Sequence, residues 1–185
     1  KRKACQKSFP SEKSQQNNME NSSTVTGLDA VILIAESDLS FSGTERKMLC
    51  DLIVHLSSKH VSAVTCELPA EINPEDQLSV LAHIKERQSS IQRIVDGAEY
   101  SGNDALRLDL CSSFFAGKDA ETVLVWLGIA FYVASSDNAK NDIANKMKAV
   151  ELGFLKSVYE RIGLFEAASP KSITLAATRA LEKFL

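Results

Sequence analysis

The hydrophobic pattern of the chain centres on residues 122–134, thirteen consecutive positions without a charge that include the only tryptophan, Trp126. A helix that is apolar on every side is buried on every side, so this stretch predicts the central helix of a globular domain. It is too short to cross a bilayer, which takes about 20 apolar residues. Lys118, Asp119 and Glu121 precede it, and Asp137 and Lys140 follow it.

Amphipathic stripes flank this centre. Ser42 stands three residues before Glu45, the arrangement of a capping box. Met48, Leu49, Leu52, Ile53 and Leu56 then follow at helical spacing. Asn73 as N-cap, Pro74 at the first helical position and the acids Glu75 and Asp76 predict the start of a long helix. Leu78, Leu81, Ile84, Ile91, Ile94 and Val95 face inward on it, Lys85, Arg87, Gln88 and Arg93 face outward, and Gly97 ends it. Residues 101–104 read as a turn and cap, followed by a helix with Leu106, Leu110, Phe114 and Phe115 on its apolar side and a stop at Gly117. Beyond the central helix, a polar break at 135–138 leads to the stripe Ile143, Met147, Val150, Phe154, Val158 and Ile162, with Gly163 as its stop. A short link between two helices implies an antiparallel hairpin. Ser169-Pro170 opens a last helix with Ile173, Ala177, Ala180, Leu181 and Phe184 inward.

Two segments stay open between helix and strand: Val31-Ile-Leu-Ile-Ala35, a short apolar run, and Val61-Ser-Ala-Val-Thr-Cys-Glu67, which is β-branched and loosely alternating. The pattern as a whole predicts an all-α fold, a compact bundle of about six or seven helices. The alternative is an α/β fold with a βαβ unit over residues 30–67.

Composition adds a boundary at the N-terminus. Residues 1–26 are rich in Lys, Ser, Gln and Asn and lack the apolar side chains needed to offset the entropy of ordering. They read as a disordered leader before one helical domain, residues 27–185. At 44% hydrophobic and 24% charged, the chain has material for a real core. Net charge is −3. Lys1, Arg2, Lys3, Lys7 and Lys13 outweigh Glu12 and Glu20 in the leader, so the remaining chain is more acidic than the total. An acidic body is a poor start for holding nucleic acid, where Lys and Arg neutralise phosphate. The basic cluster Lys1, Arg2, Lys3 and Lys7 fits a nuclear-import signal or a patch for an anionic partner, against the blander reading of a solvated linker. The chain opens without a signal peptide, which points to an intracellular, nuclear or cytoplasmic, protein. Its first residue is not methionine, so we read it as part of a longer protein.

Candidate chemistry is sparse. Cys5, Cys50, Cys66 and Cys111 include no CxxC pair, which argues for buried thiols rather than a zinc site. His55 and His60 are five residues apart, off a common helical face, and His83 stands alone. Asp51 lies one helical turn from His55 and would be able to orient it, although a surface pair of no consequence is the simpler reading. Gly117-Lys118 lacks the remaining residues of a phosphate loop. Leu127-Gly128, Phe131 and Ala149 faintly resemble a tetratricopeptide hairpin, but the spacing is off by an insertion, Trp126 is misplaced and no second copy occurs at that period.

With no nucleophile, acid and base that can be assembled, the first functional expectation is a non-enzymatic helical adaptor or scaffold domain with another protein or peptide as partner, and no cofactor or metal. Two alternatives remain. In the α/β fold, Glu36, Asp38 and Ser40 would lie at one strand end and Glu67 at the other, as in a nucleotide- or adenosylmethionine-binding enzyme, though without a glycine-rich turn. In a helical RNA-binding nucleoprotein, Lys85, Arg87, Arg93 and Arg107 would line a groove, against the acidic balance.

Overall fold

The computed structural model describes residues 25–38, 40–97, 103–136, 149–164 and 169–185. The leader cluster, Cys5, residues 101 and 102 of the expected turn, residues 137 and 138 of the polar break, and Ile143 and Met147 lie outside these. The described residues form eight α-helices and no strand: α1 Gly27–Ala35, α2 Gly43–Ser58, α3 Ser62–Thr65, α4 Gln77–Asp96, α5 Asn103–Phe115, α6 Ala120–Ala134, α7 Ala149–Arg161 and α8 Pro170–Glu182, with a 3-10 turn, Glu36–Asp38, after α1.

The all-α reading is therefore correct and the βαβ unit is not. Both of its proposed strands are helical. Val31–Ala35 belongs to α1, whose nine residues are all buried. Thr26 caps this helix: its hydroxyl accepts from the Asp29 N–H, and the Asp29 carboxylate accepts from the Thr26 N–H at 2.8 Å. A segment buried among α4, α5, α6 and α7 must satisfy its backbone groups internally, and in the absence of a sheet only a helix does so. Val61–Cys66 forms the short turn of α3, too brief to be recognised from periodicity.

The uncharged stretch is the axis of the bundle, with ten of its residues buried in α6. Its most extensive partner is α8, and α1, α2 and α3 also pack on it. Trp126 is fully buried. Its indole N–H donates to the Ala63 carbonyl at 2.7 Å, and its ring meets Phe114 edge-on at 5.9 Å. Gly27 permits this position, because a Cβ there would lie 2.2 Å from Trp126 Cε2.

Several helix boundaries and faces differ from expectation. The N-cap of α4 is Asp76, whose carboxylate accepts from the N–H groups of Leu78 and Ser79. Asn73 instead closes a turn, accepting from the Glu75 N–H at 3.2 Å. The late start of α4 puts Val80, His83, Ile84, Ile91 and Val95 in the core and leaves Leu78 outside. On α7 the buried side chains are Glu151, Leu155, Val158 and Tyr159, while Val150 is exposed. Among the described residues this helix packs chiefly on α5 and the 3-10 turn rather than along α6, and the link and the first stripe residues of the expected hairpin lie outside them. Gly117 and Gly163 stop α5 and α7 as read, at φ of 79° and 76°. Ser169 caps α8 through the Ser172 N–H, and Pro170 occupies its first turn.

A candidate docking groove between α5, α6 and α7

A broad concavity among the described residues arises where α5 and α7 stop and α6 begins. Helix α5 ends at Phe115, and the left-handed Gly117 turns the chain toward Asp119, which caps α6 by accepting from the Thr122 N–H at 2.9 Å. The C-terminal end of α7 closes the third side, where Gly163 redirects the chain. The result is an open groove of about 720 Å³.

Its surface is mainly apolar, contributed by Phe115, Ala116, Ala120, Val123, Leu124, Ile162 and Leu164. The charges at its edge are matched within the domain: Arg161 pairs with Asp109, and Lys118 pairs with Glu67 while standing 5.1 Å over the Phe114 ring. Ser112 also lines the groove, and its buried hydroxyl has no hydrogen-bond partner among the described residues. Phe115 and Ile162 read in the sequence as inward-facing stripe residues and Lys118 as part of an incomplete phosphate loop, and nothing in the pattern marks the others or gathers them. Their proximity comes from how α7 crosses the α5–α6 turn.

The charged residues singled out in the sequence serve a different purpose. Asp29 is buried on α1 and accepts from both Nε and Nη2 of Arg87 on α4, the first at 2.8 Å. That hydrogen bond holds the guanidinium even more firmly protonated than usual. Glu36 is buried beside it, receiving Gln88 Nε2 at 2.8 Å, and the guanidinium of Arg107 donates to the Glu36 backbone carbonyl at 3.0 Å. Burial pushes the Glu36 carboxyl above its ordinary value, opposed by the Gln88 hydrogen bond and by Arg107. Arg46 on α2 donates to the side-chain amide oxygen of Gln88, Oε1, at 3.0 Å. These groups join α1, α2, α4 and α5. Arg87 and Gln88 are thus half-buried bridging residues, contrary to the expected outer face. A charge buried this deeply is tolerated only because it is paired and hydrogen-bonded.

The nucleotide-site residues are not brought together. Glu36 lies in this network, Asp38 binds Ser40 through both the backbone N–H and the hydroxyl, and Glu67 pairs with Lys118. Asp51 does not orient His55: it accepts from Gln77 Nε2 at 2.7 Å, while His55 Nε2 lies 2.9 Å from the Phe184 carbonyl oxygen. His83 is buried on α4, and His60 is exposed at φ 54°. Of the four residues proposed to line an RNA groove, Arg87 and Arg107 are engaged internally, and Lys85 and Arg93 are exposed on α4. Among the described residues no three His, Cys, Asp or Glu side chains gather as a metal site, and no helix is long and apolar enough to cross a membrane. No model of a known protein family, no curated protein and no solved structure matches the chain.

Proposed function

We propose that this chain is a non-enzymatic interaction domain that holds an apolar, weakly charged helical segment of a partner protein in the groove between α5, α6 and α7. The observation that carries the proposal is the combination of an apolar floor with edge charges already paired inside the domain. A charged occupant gains little from such an edge, whereas an apolar one is rewarded by every side chain it buries. Two or three anchors of leucine size contribute about 1.5–3 kcal/mol each. Association and ordering consume part of that, so the interaction is micromolar or weaker.

Selection of peptides from a displayed library against the 185-residue chain tests this reading. The enriched sequences are expected to carry apolar residues at helical spacing and few charges. Ala120→Arg, at an exposed position of the groove, is expected to weaken them about tenfold, as is Leu124→Glu. Enrichment of sequences indifferent to both substitutions would remove the groove as the site. The basic cluster Lys1, Arg2, Lys3 and Lys7 is carried as an import signal in the same proposal. A fluorescent fusion that distributes identically when these four are changed to alanine counts against it.

A further inference from the structure

The face formed by α2 and α4 has a chemistry opposite to that of the first groove. Leu78 is 77% exposed, more than any other large apolar side chain among the described residues. The late cap at Asp76 causes this: Leu78 occupies the first turn of α4, where the helix has run past the end of the core. Beside it is a second groove of about 360 Å³, lined by Leu78, Leu81 and Lys85 on α4 and by Gly43, Arg46 and Lys47 on α2. No carboxylate lines it. Asp51 and Asp76 lie near the groove, their charge felt by its lining residue Cys50, but their carboxylates accept from Gln77 and from the first turn of α4 and do not line it. Arg46 spends part of its guanidinium on Gln88, but Lys47 and Lys85 are exposed and make no ion pair with another described residue. At Gly43 a built Cβ meets nothing within 4 Å, so that wall leaves room for an incoming side chain.

We propose that the α2–α4 face is a second docking surface, taking an acidic amphipathic segment of a partner protein whose apolar side chains cover Leu78 and Leu81 and whose carboxylates meet Lys47 and Lys85. Charge complementarity selects this occupant. A groove with Leu78 and Leu81 on one helix, cations on both helices and no acid among its described lining residues matches a peptide with leucine-like anchors beside Asp or Glu. A bilayer surface calls for a denser basic cluster, about 4–8 cations, than this groove provides. Nucleic acid fails on the same count and on the acidic balance of the chain. The groove shares no lining residue with the one between α5, α6 and α7, so the two surfaces are separable by substitution.

The test uses the whole chain and a fluorescent synthetic peptide with leucines at alternating three- and four-residue spacing and glutamates beside them, compared with the same peptide carrying lysines for glutamates. Anisotropy is expected to show the acidic peptide binding about tenfold more tightly, with an affinity that falls as salt rises. The double variant Lys47→Glu with Lys85→Glu and the single variant Leu78→Ser each lower it about tenfold. All three positions are exposed, so the fold is retained, which circular dichroism checks. Ala120→Arg in the other groove leaves it unchanged, which separates this result from the fate of the first proposal. Equal binding of the two peptides, indifference to the Lys47, Lys85 and Leu78 variants, or loss on Ala120→Arg overturns the assignment. So does absence of peptide binding alongside Lys47- and Lys85-dependent attachment to phosphatidylserine vesicles, which makes the face a lipid surface instead.

Discussion

Gly128 of α6 lies so close to Ala177 of α8 that a Cβ built on the glycine would stand 2.6 Å from the Ala177 carbonyl oxygen and 3.0 Å from Leu181 Cβ. The two helices form the most extensive helix pair of the bundle, and backbone rather than a flexible side chain opposes the glycine. Gly128→Ala is therefore expected to force the helices apart and to cost about 1–3 kcal/mol. Gly153, on the exposed side of α7 with nothing within 4 Å of its built Cβ, supplies the contrast. Gly153→Ala is expected to stabilise by about 0.5–1 kcal/mol through helix propensity alone. Urea unfolding of the two variants checks the opposite signs.

Arg87 is the counterion of Asp29, whose side chain is only 2% exposed. Arg87→Met strands that carboxylate and is expected to destabilise by about 3–5 kcal/mol. Adding Asp29→Asn removes the stranded charge while keeping an acceptor for the Thr26 N–H, so the double variant recovers part of the loss. Additive losses in a double-mutant cycle would show that the pair is not coupled.

Glu36 gives a pH signature. Burial holds its carboxyl above 4.5, so the folded chain binds this proton more tightly than the unfolded chain does. The stability this contributes is complete below about pH 4.5 and is lost as pH rises through the raised folded value. Glu36→Gln cannot ionise and is expected to gain on the wild type in Tm as pH rises above 4.5 and through the raised folded value. A Tm difference independent of pH would contradict that.

The cysteines separate by access. Cys66 is exposed, whereas Cys50 and Cys111 are buried, with burial pushing both thiols upward and Asp51 and Asp76 adding to the shift at Cys50. In a Cys5→Ser background, a thiol reagent at neutral pH is expected to label Cys66 rapidly and the other two only on unfolding. Fast native labelling of Cys111 would mean that α5 opens locally from α1.

Trp126 reports on the core by itself, as the only tryptophan in the chain. Its complete burial predicts blue-shifted emission that acrylamide quenches only after unfolding. Trp126→Phe leaves the Ala63 carbonyl without its donor and opens a void, at a cost of about 2–4 kcal/mol. A loss below that range would indicate that α3 re-forms its contacts without the indole.

The sequence by itself determined the elements whose signals are local. The uncharged stretch had to be buried on all sides, and it is α6. Ser42 with Glu45, Gly117, Gly163 and Ser169 with Pro170 marked helix ends because caps and left-handed turns act on backbone groups within a few residues. Tertiary structure decided the rest. The run at Val31 is short and apolar enough for either helix or strand, and burial against four helices settled it. Arg87, Gln88 and Arg107 read as surface or groove residues until Asp29 and Glu36 were packed beside them, since a charge's partner across the chain leaves no trace in spacing. Both grooves belong to the same class: each collects residues from separate helices, and its shape depends on where those helices stop and cross rather than on any one helix's pattern.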